Sequence, residues 1–187
     1  MKIIPINDCL KKNDFEFIKI DSTTSTMNEA KKKINFLKKN LIILSKKQTE
    51  GKGRLGNKWI SPLGNIYSSI VTSNLIDPYI LSKFGMLTSV AIKKSLEYIN
   101  IDKVFFKWPN DIYVENKKIS GIIQEYHYNL ENKKFLIIGV GINVCSSPQN
   151  IKYKTTFIKE FNKKISVEYF FVIFINFFLD SFDNFIN

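Results

Sequence analysis

The chain has 187 residues, 44% hydrophobic and 24% charged, a balance that suits one domain burying roughly 70% of its unfolded surface and excludes disorder throughout. The net charge of +11 invites an anionic partner, although a composition rich in Lys, Asn, Ile and Phe would also place lysines on the surface merely to solvate it. Cys9 and Cys145 lie far apart and outside any Cys-x-x-Cys pair, which excludes a disulfide framework and a zinc site and fits a reducing cytoplasm.

No signal peptide is readable, because five residues are followed by a polar stretch containing Asp8, Lys11 and Lys12. Residues 15–20 (FEFIKI) alternate as a strand does. DSTTST at 21–26 supplies caps: Thr26 with Glu29 predicts a capping box, followed by a helical stripe of Met27, Ala30, Ile34 and Leu37. LIILS at 41–45 reads as a buried strand, and a glycine-rich loop follows it. NIYSSIVTS at 65–73 is a strand with small residues on both faces. A long amphipathic helix fits 79–99, with Leu81, Phe84, Leu87, Val90, Ala91, Leu96 and Ile99 inward.

The run VFFKW (104–108) stops at Pro109, 111–126 gives two strands about a Glu-Asn-Lys turn, and 134–144 pairs next. That last strand is expected at a sheet edge, available to another chain. From about Val167 the chain is helical. VEYFFVIFINFFL (167–179) contains Glu168 and Asn176 and is followed by Asp180 and Asp183, so a buried helix is expected and no membrane span. Hairpins in place of βαβ units make the class α+β, with a mixed β-sheet and helices packed on it, in a single domain over 1–187.

Two clusters carry chemistry. In QTEGKGRLGNKW (48–59), Gly51, Gly53 and Gly56 let backbone approach a ligand, while Lys52, Arg54 and Lys58 add positive charge. The P-loop pattern is absent, and alone the stretch also reads as a solvated basic loop. KWPNDIYVENKKISG (107–121) gathers Lys107, Asn110, Asp111, Lys118 and Gly121 around two strand ends. Pro109 stiffens the turn presenting Asn110 and Asp111, and the hairpin brings Lys118 back toward Asp111. Gly139 and Gly141 remove side chains from a strand, leaving room for a flat ligand or marking a bulge.

Taken together, DST (21–23), GKGRLGNKW (51–59), KWPNDI (107–112), KISGI (118–122) and GVGIN (139–143) resemble the catalytic domain of biotin–protein ligases, in that family's order and at comparable spacing. The resemblance implies a class II aminoacyl-tRNA synthetase-like biotin/lipoate ligase fold and a two-step reaction. In it, biotin and Mg-ATP give biotinyl-5'-AMP and pyrophosphate, and a lysine of a biotin carboxyl carrier protein of a carboxylase then displaces AMP. By the same match Ser22, Thr23 and Gln48 would bond the ureido ring, with Gly51, Lys52, Gly121 and Gly139 lining the biotin pocket. Arg54 and Lys118 would face the biotin carboxylate and α-phosphate. Lys107 and Asn110 would serve the ATP phosphates and Mg²⁺, Trp59 would cover the adenylate, and Asn143 would touch the nucleotide. Asp111 would orient or deprotonate the incoming lysine.

The sequence departs from the family pattern. Lys52, Leu55 and Asn57 replace three of the four arginines usual in the loop, and Thr24 stands where Asn is usual. Fourteen residues precede the first predicted strand and no strand pattern follows 165–187. Neither an N-terminal helix-turn-helix with sequence-specific DNA binding nor a C-terminal β-barrel is therefore expected. A lipoate ligase or octanoyl transferase shares the implied fold, and Cys145 would be the thiol for the transferase; a decayed biotin-binding domain is the non-enzymatic alternative. His127, the single histidine, is given no role. The expectation is a cytoplasmic monomer or homodimer.

Overall fold

The computed structural model describes residues 1–73, 80–149 and 151–186. The elements in order are α1 (Ile6–Lys12), β1 (Phe15–Ile20), α2 (Thr26–Lys33), β2 (Asn40–Ser45), β3 (Ile66–Ser73), α3 (Ile80–Tyr98), β4 (Val104–Lys107), β5 (Asp111–Val114), β6 (Lys117–Tyr128), β7 (Lys134–Ile142) and α4 (Val167–Ile186). Residue 79 and the side chain of Leu81, assigned by sequence to the third helix, lie outside the described residues.

The seven strands form one sheet in the order β1-β2-β3-β7-β6-β5-β4. Only β1 and β2 run parallel, joined through α2; the other neighbours are antiparallel. The α+β class with a mixed sheet therefore holds. One expectation fails: β7 is an interior strand between β3 and β6, not an edge. The reason is in its composition, since KFLIIGVGI carries no charge after Lys134 and is buried from Phe135 to Ile142, as a strand covered on both faces must be.

Alternate residues face two helical layers. Ile42, Leu44, Ile70, Ile138 and Val140 pack with α1, α3 and α4, to which α4 contributes Phe170, Phe174 and Phe178. Leu41, Ile43, Val71 and Ile137 pack on the opposite face under Met27 and Ala30 of α2 and Ile34 at its C-cap. The apolar C-terminal run is thus a core helix. No helix among the described residues is long and apolar enough to cross a membrane. Asn176 is accommodated because its amide donates to the Ile4 and Val172 carbonyls while its oxygen accepts from Ile4 N–H.

A candidate ligand cavity on the open half of the sheet

The helix α2 covers only one end of its face. Under it lie Phe135 and Ile137; further along β7 the same face is Gly139 and then Gly141. A Cβ on Gly139 would stand 2.7 Å from Met27 Sδ, so that glycine admits the helix. A Cβ on Gly141 would stand 2.5 Å from the Trp59 ring, and one on Gly121, its partner across β6, 2.9 Å from the same ring. The two facing glycines thus make a flat berth that Trp59 occupies from above. Both sit in regular register, so the bulge reading of Gly139 and Gly141 does not apply. Beside Trp59 opens a cavity of about 690 Å³, walled by Thr26, Gln48, Arg54, Asp111 and Lys118. The glycine-rich loop separates it from an outer cavity of about 1180 Å³ lined by Met86, Trp108 and Gln124.

The loop is anchored by a chain of hydrogen bonds. Gln48 Oε1 accepts from Thr26 N–H (2.8 Å) and from Thr26 Oγ1 (3.2 Å), and its Nε2 donates to Ser61 Oγ (3.0 Å). Ser61 donates onward to the Trp59 carbonyl (2.9 Å), and Trp59 N–H donates to Gly51 O (2.8 Å). Ser69 Oγ, buried on β3, donates to Thr26 Oγ1 at 2.8 Å. Gly51 is required here, since a Cβ would meet Trp59 O at 2.3 Å. The predicted capping box is replaced: Ser25 is the N-cap residue without a side-chain cap bond, and Gln48 caps the helix by bonding the first helical amide. Glu29 instead accepts from Thr23 Oγ1 at 3.0 Å.

This arrangement shifts the Ser-Thr pair. Ser22 is exposed and lines neither cavity, and Thr23 is spent on Glu29. The same dipeptide recurs three residues later as Ser25-Thr26, where Thr26 walls the inner cavity and the Ser25 hydroxyl is buried without a partner. The repeat inside DSTTST was the available signal: the second pair, not the first, abuts the helical stripe.

At the other end of the cavity Lys118 Nζ stands 2.8 Å from Asp111 Oδ1. A β-bulge makes this possible. The β5–β6 register shifts between Ile112 and Tyr113, leaving Ile119 as an extra residue on β6. Strict alternation from Gly121 would aim Ile119 at the cavity and Lys118 at the core. The bulge reverses them: Ile119 is fully buried in the core and Lys118 lines the cavity. Asn110 follows a cis Trp108–Pro109 peptide and joins both sides. It accepts from Arg54 Nη1 (3.2 Å) and donates to the Ile122 carbonyl (3.0 Å).

The remaining sequence candidates are dispersed. Lys107 is exposed over the Tyr113 ring at 5.2 Å and lines only the outer cavity. Lys52 lines both cavities, as expected of the pocket lining, while its ammonium donates to Asn28 Oδ1 at 2.7 Å at the surface. Asn143 is 1% exposed; its amide donates to Thr156 O, while its oxygen has no partner and the residue lines a small cavity of about 40 Å³ behind Trp59. Ser61 and Tyr153 were not singled out by sequence, and Thr26 was read only as a helix cap. Cys145 and Cys9 line none of these cavities, and burial pushes the Cys9 thiol up to about 11. Among the described residues no three His, Cys, Asp or Glu side chains are grouped to hold a metal ion.

A glycine-floored cavity with a lysine and an arginine on its wall, set on a mixed sheet, is chemically suited to a small anionic ligand. The chain belongs to the Biotin/lipoate A/B protein ligase family, whose model matches residues 17–143. It is 32% identical over 127 residues to the bifunctional ligase/repressor BirA of Escherichia coli strain K12, covering 67% of this chain and 39% of that protein. To the human biotin–protein ligase it is 34% identical over 137 residues, 68% of this chain and 18% of that one. The chain thus spans about two fifths or less of these relatives. The biotin protein ligase from Aquifex aeolicus in complex with biotin and ATP superposes with a TM-score of 0.76 at 27% identity, over 91% of this chain and 71% of that one.

Proposed function

We propose that the chain is the catalytic domain of a cytoplasmic biotin–protein ligase, joining biotin to a lysine of a carboxylase's biotin carboxyl carrier protein at the expense of ATP. The observation that supports this reading is a single cavity lined both by Lys118 and Arg54 and by the Thr26–Gln48 pair. A ligand with a polar ring at one end and a carboxylate at the other matches both. At about 690 Å³ the space is within the range of small-molecule sites.

Ser25-Thr26 and Gln48 would face the ureido ring, taking the place assigned by sequence to Ser22 and Thr23. A biotin carboxylate oxygen attacks the α-phosphorus, and the bond to the bridging oxygen of the leaving pyrophosphate breaks. Arg54 and Lys118 neutralise the charge that develops, the guanidinium across two oxygens and the ammonium at one. Mg²⁺ would arrive with the ATP, whose phosphates Asn110 and, from the outer cavity, Lys107 would meet. The unpartnered Asn143 oxygen is an acceptor suited to the exocyclic amine of adenine. In the second step the carrier amine attacks the acyl carbon, the carbon–oxygen bond of the anhydride breaks and AMP leaves. When Lys118 turns to the substrate, Asp111 is released to take the amine's proton.

The test is mass spectrometry after incubation with biotin, Mg-ATP and a carrier domain. A biotin-sized mass gain on one carrier lysine is expected. Modification by lipoate or octanoate in its place would overturn the reading in favour of the lipoate branch of the family, and no biotin-dependent pyrophosphate release from folded protein would leave a binding domain only.

A further inference from the structure

We infer that Tyr153 is a positioning residue for Lys118: its ring and that of Trp59 bracket the lysine ammonium and hold it on the cavity wall. The Lys118 Nζ lies 5.1 Å from the Tyr153 ring centroid and 5.3 Å from that of Trp59, with Asp111 Oδ1 at 2.8 Å as its third neighbour. Lys118 is only 9% exposed, whereas Tyr153 is 45% exposed and so closes the solvent side. A cation between two ring faces meets negative potential from both, within the distance at which the interaction counts.

The Tyr153 ring is delivered by backbone pairing. Lys118 N–H donates to Lys154 O (2.9 Å) and Thr156 N–H donates to Lys118 O (3.0 Å), so residues 154–156 run alongside the lysine in parallel register. Thr155 Oγ1 ties the segment further by donating to Pro148 O at 2.7 Å. The ring that contacts Lys118 is thus carried by the residue that immediately precedes the segment bonded to Lys118's own backbone. Tyr153 lines both the inner cavity and the small cavity next to Asn143, placing it where the two halves of an adenylate would meet. Burial, then the charge of Asp111, then Tyr113 push the Tyr153 phenol up, so the residue stays neutral and acts through its ring. With both rings in place Lys118 has few rotamers to search, and a short swing away from Asp111 brings its ammonium to the substrate.

The catalytic part of this inference rests on the ligase reading, so the experiment has one arm that does not. Acylation of Lys118 by an N-hydroxysuccinimide acetate probe, read by peptide mass spectrometry, should speed up about two- to fivefold in Tyr153→Leu and not in Tyr153→Phe. Biotin-dependent pyrophosphate release should lose a similar factor in kcat in Tyr153→Leu, with KM for biotin held and activity restored in Tyr153→Phe. In a Lys118→Ala background the Tyr153→Leu change should add nothing. Equal probe reactivity in wild type and Tyr153→Leu would overturn the clamp, as would equal damage from Phe and Leu or full additivity with Lys118→Ala. Altered probe reactivity in a protein that releases no pyrophosphate would support the clamp and reject the ligase reading alone.

Discussion

At its base the glycine-rich loop is tied into the domain by buried and partly buried hydrogen bonds, whereas its tip meets the rest of the protein through exposed side-chain hydrogen bonds. The base runs through Gln48, Ser61 and the Trp59 backbone to Thr26 and Ser69, and Tyr67 adds a bond from its hydroxyl to Pro62 O at 2.7 Å. At the tip Arg54 bonds Asn110 and Lys52 bonds Asn28. Leu55 there is 93% exposed and held at φ 53°, ψ 39°, a left-handed conformation that costs a non-glycine residue about 1 kcal/mol. Partial or full burial makes the base bonds more expensive to lose, and exposure makes each tip bond cheap to exchange with water. The base is therefore the held part of the loop, and the tip is the part whose contacts exchange most easily with water.

The sharpest way to break this contrast is to disturb the base at the berth of Trp59. Gly141→Val puts methyls where the ring lies, so Trp59 must leave, and a misplacement of this kind costs about a hundredfold in rate. Biotin-dependent pyrophosphate release should fall by that order while the circular dichroism spectrum holds, and unchanged activity would show that Trp59 need not lie on the glycines. Arg54→Gly acts at the tip. Removing its guanidinium should slow synthesis of biotinyl-AMP, whose α-phosphate it faces, and should also shorten retention of the adenylate that does form about tenfold, measured as adenylate passing through a desalting column. If retention is unchanged, the tip is not the closing element.

The same division explains what was legible in the sequence. The strands and α3 were readable because each carries its own period, and β1 was placed at its residues, Phe15–Ile20. The helix α1 has seven residues and buries only Cys9 and Leu10, too short for a period to show. The interior place of β7 depends on pairing across the sheet, which its own pattern does not encode. At the site, Gly51, Arg54 and Lys118 stood out as residue types, but the bulge at Ile119 that aims Lys118 was invisible. Ser61 and Tyr153 escaped notice for a related reason: each acts on a residue distant in sequence, so neither forms part of a local motif. The offset between Ser22-Thr23 and Ser25-Thr26 was decided by where α2 begins, which only tertiary contact with Gln48 fixes.

Smaller effects sharpen the comparison from within the base. Ser61→Ala leaves the Gln48 amide and the Trp59 carbonyl without their shared partner, and the amide is then free to turn. This should raise KM for biotin about five- to tenfold with kcat nearly unchanged; a fall in kcat alone would place Ser61 with the tip.

Tyr67→Phe removes the hydroxyl and its bond to Pro62 and should cost about 1 kcal/mol in urea unfolding. Its pH dependence has a definite sign. Tyr67 is 1% exposed, and burial pushes its hydroxyl well above the ordinary phenol range. The folded protein therefore keeps that proton when the unfolded chain releases it, and the resulting stability is fully present below about pH 10 and lost as pH rises beyond it. Cys9, pushed up to about 11 from 9.0, adds a loss that begins lower. Wild-type stability should therefore decline between about pH 9 and pH 11, and the upper part of that decline should be shallower in Tyr67→Phe. An identical slope in the variant would mean that Tyr67 reaches water, and the base would then be no better protected than the tip.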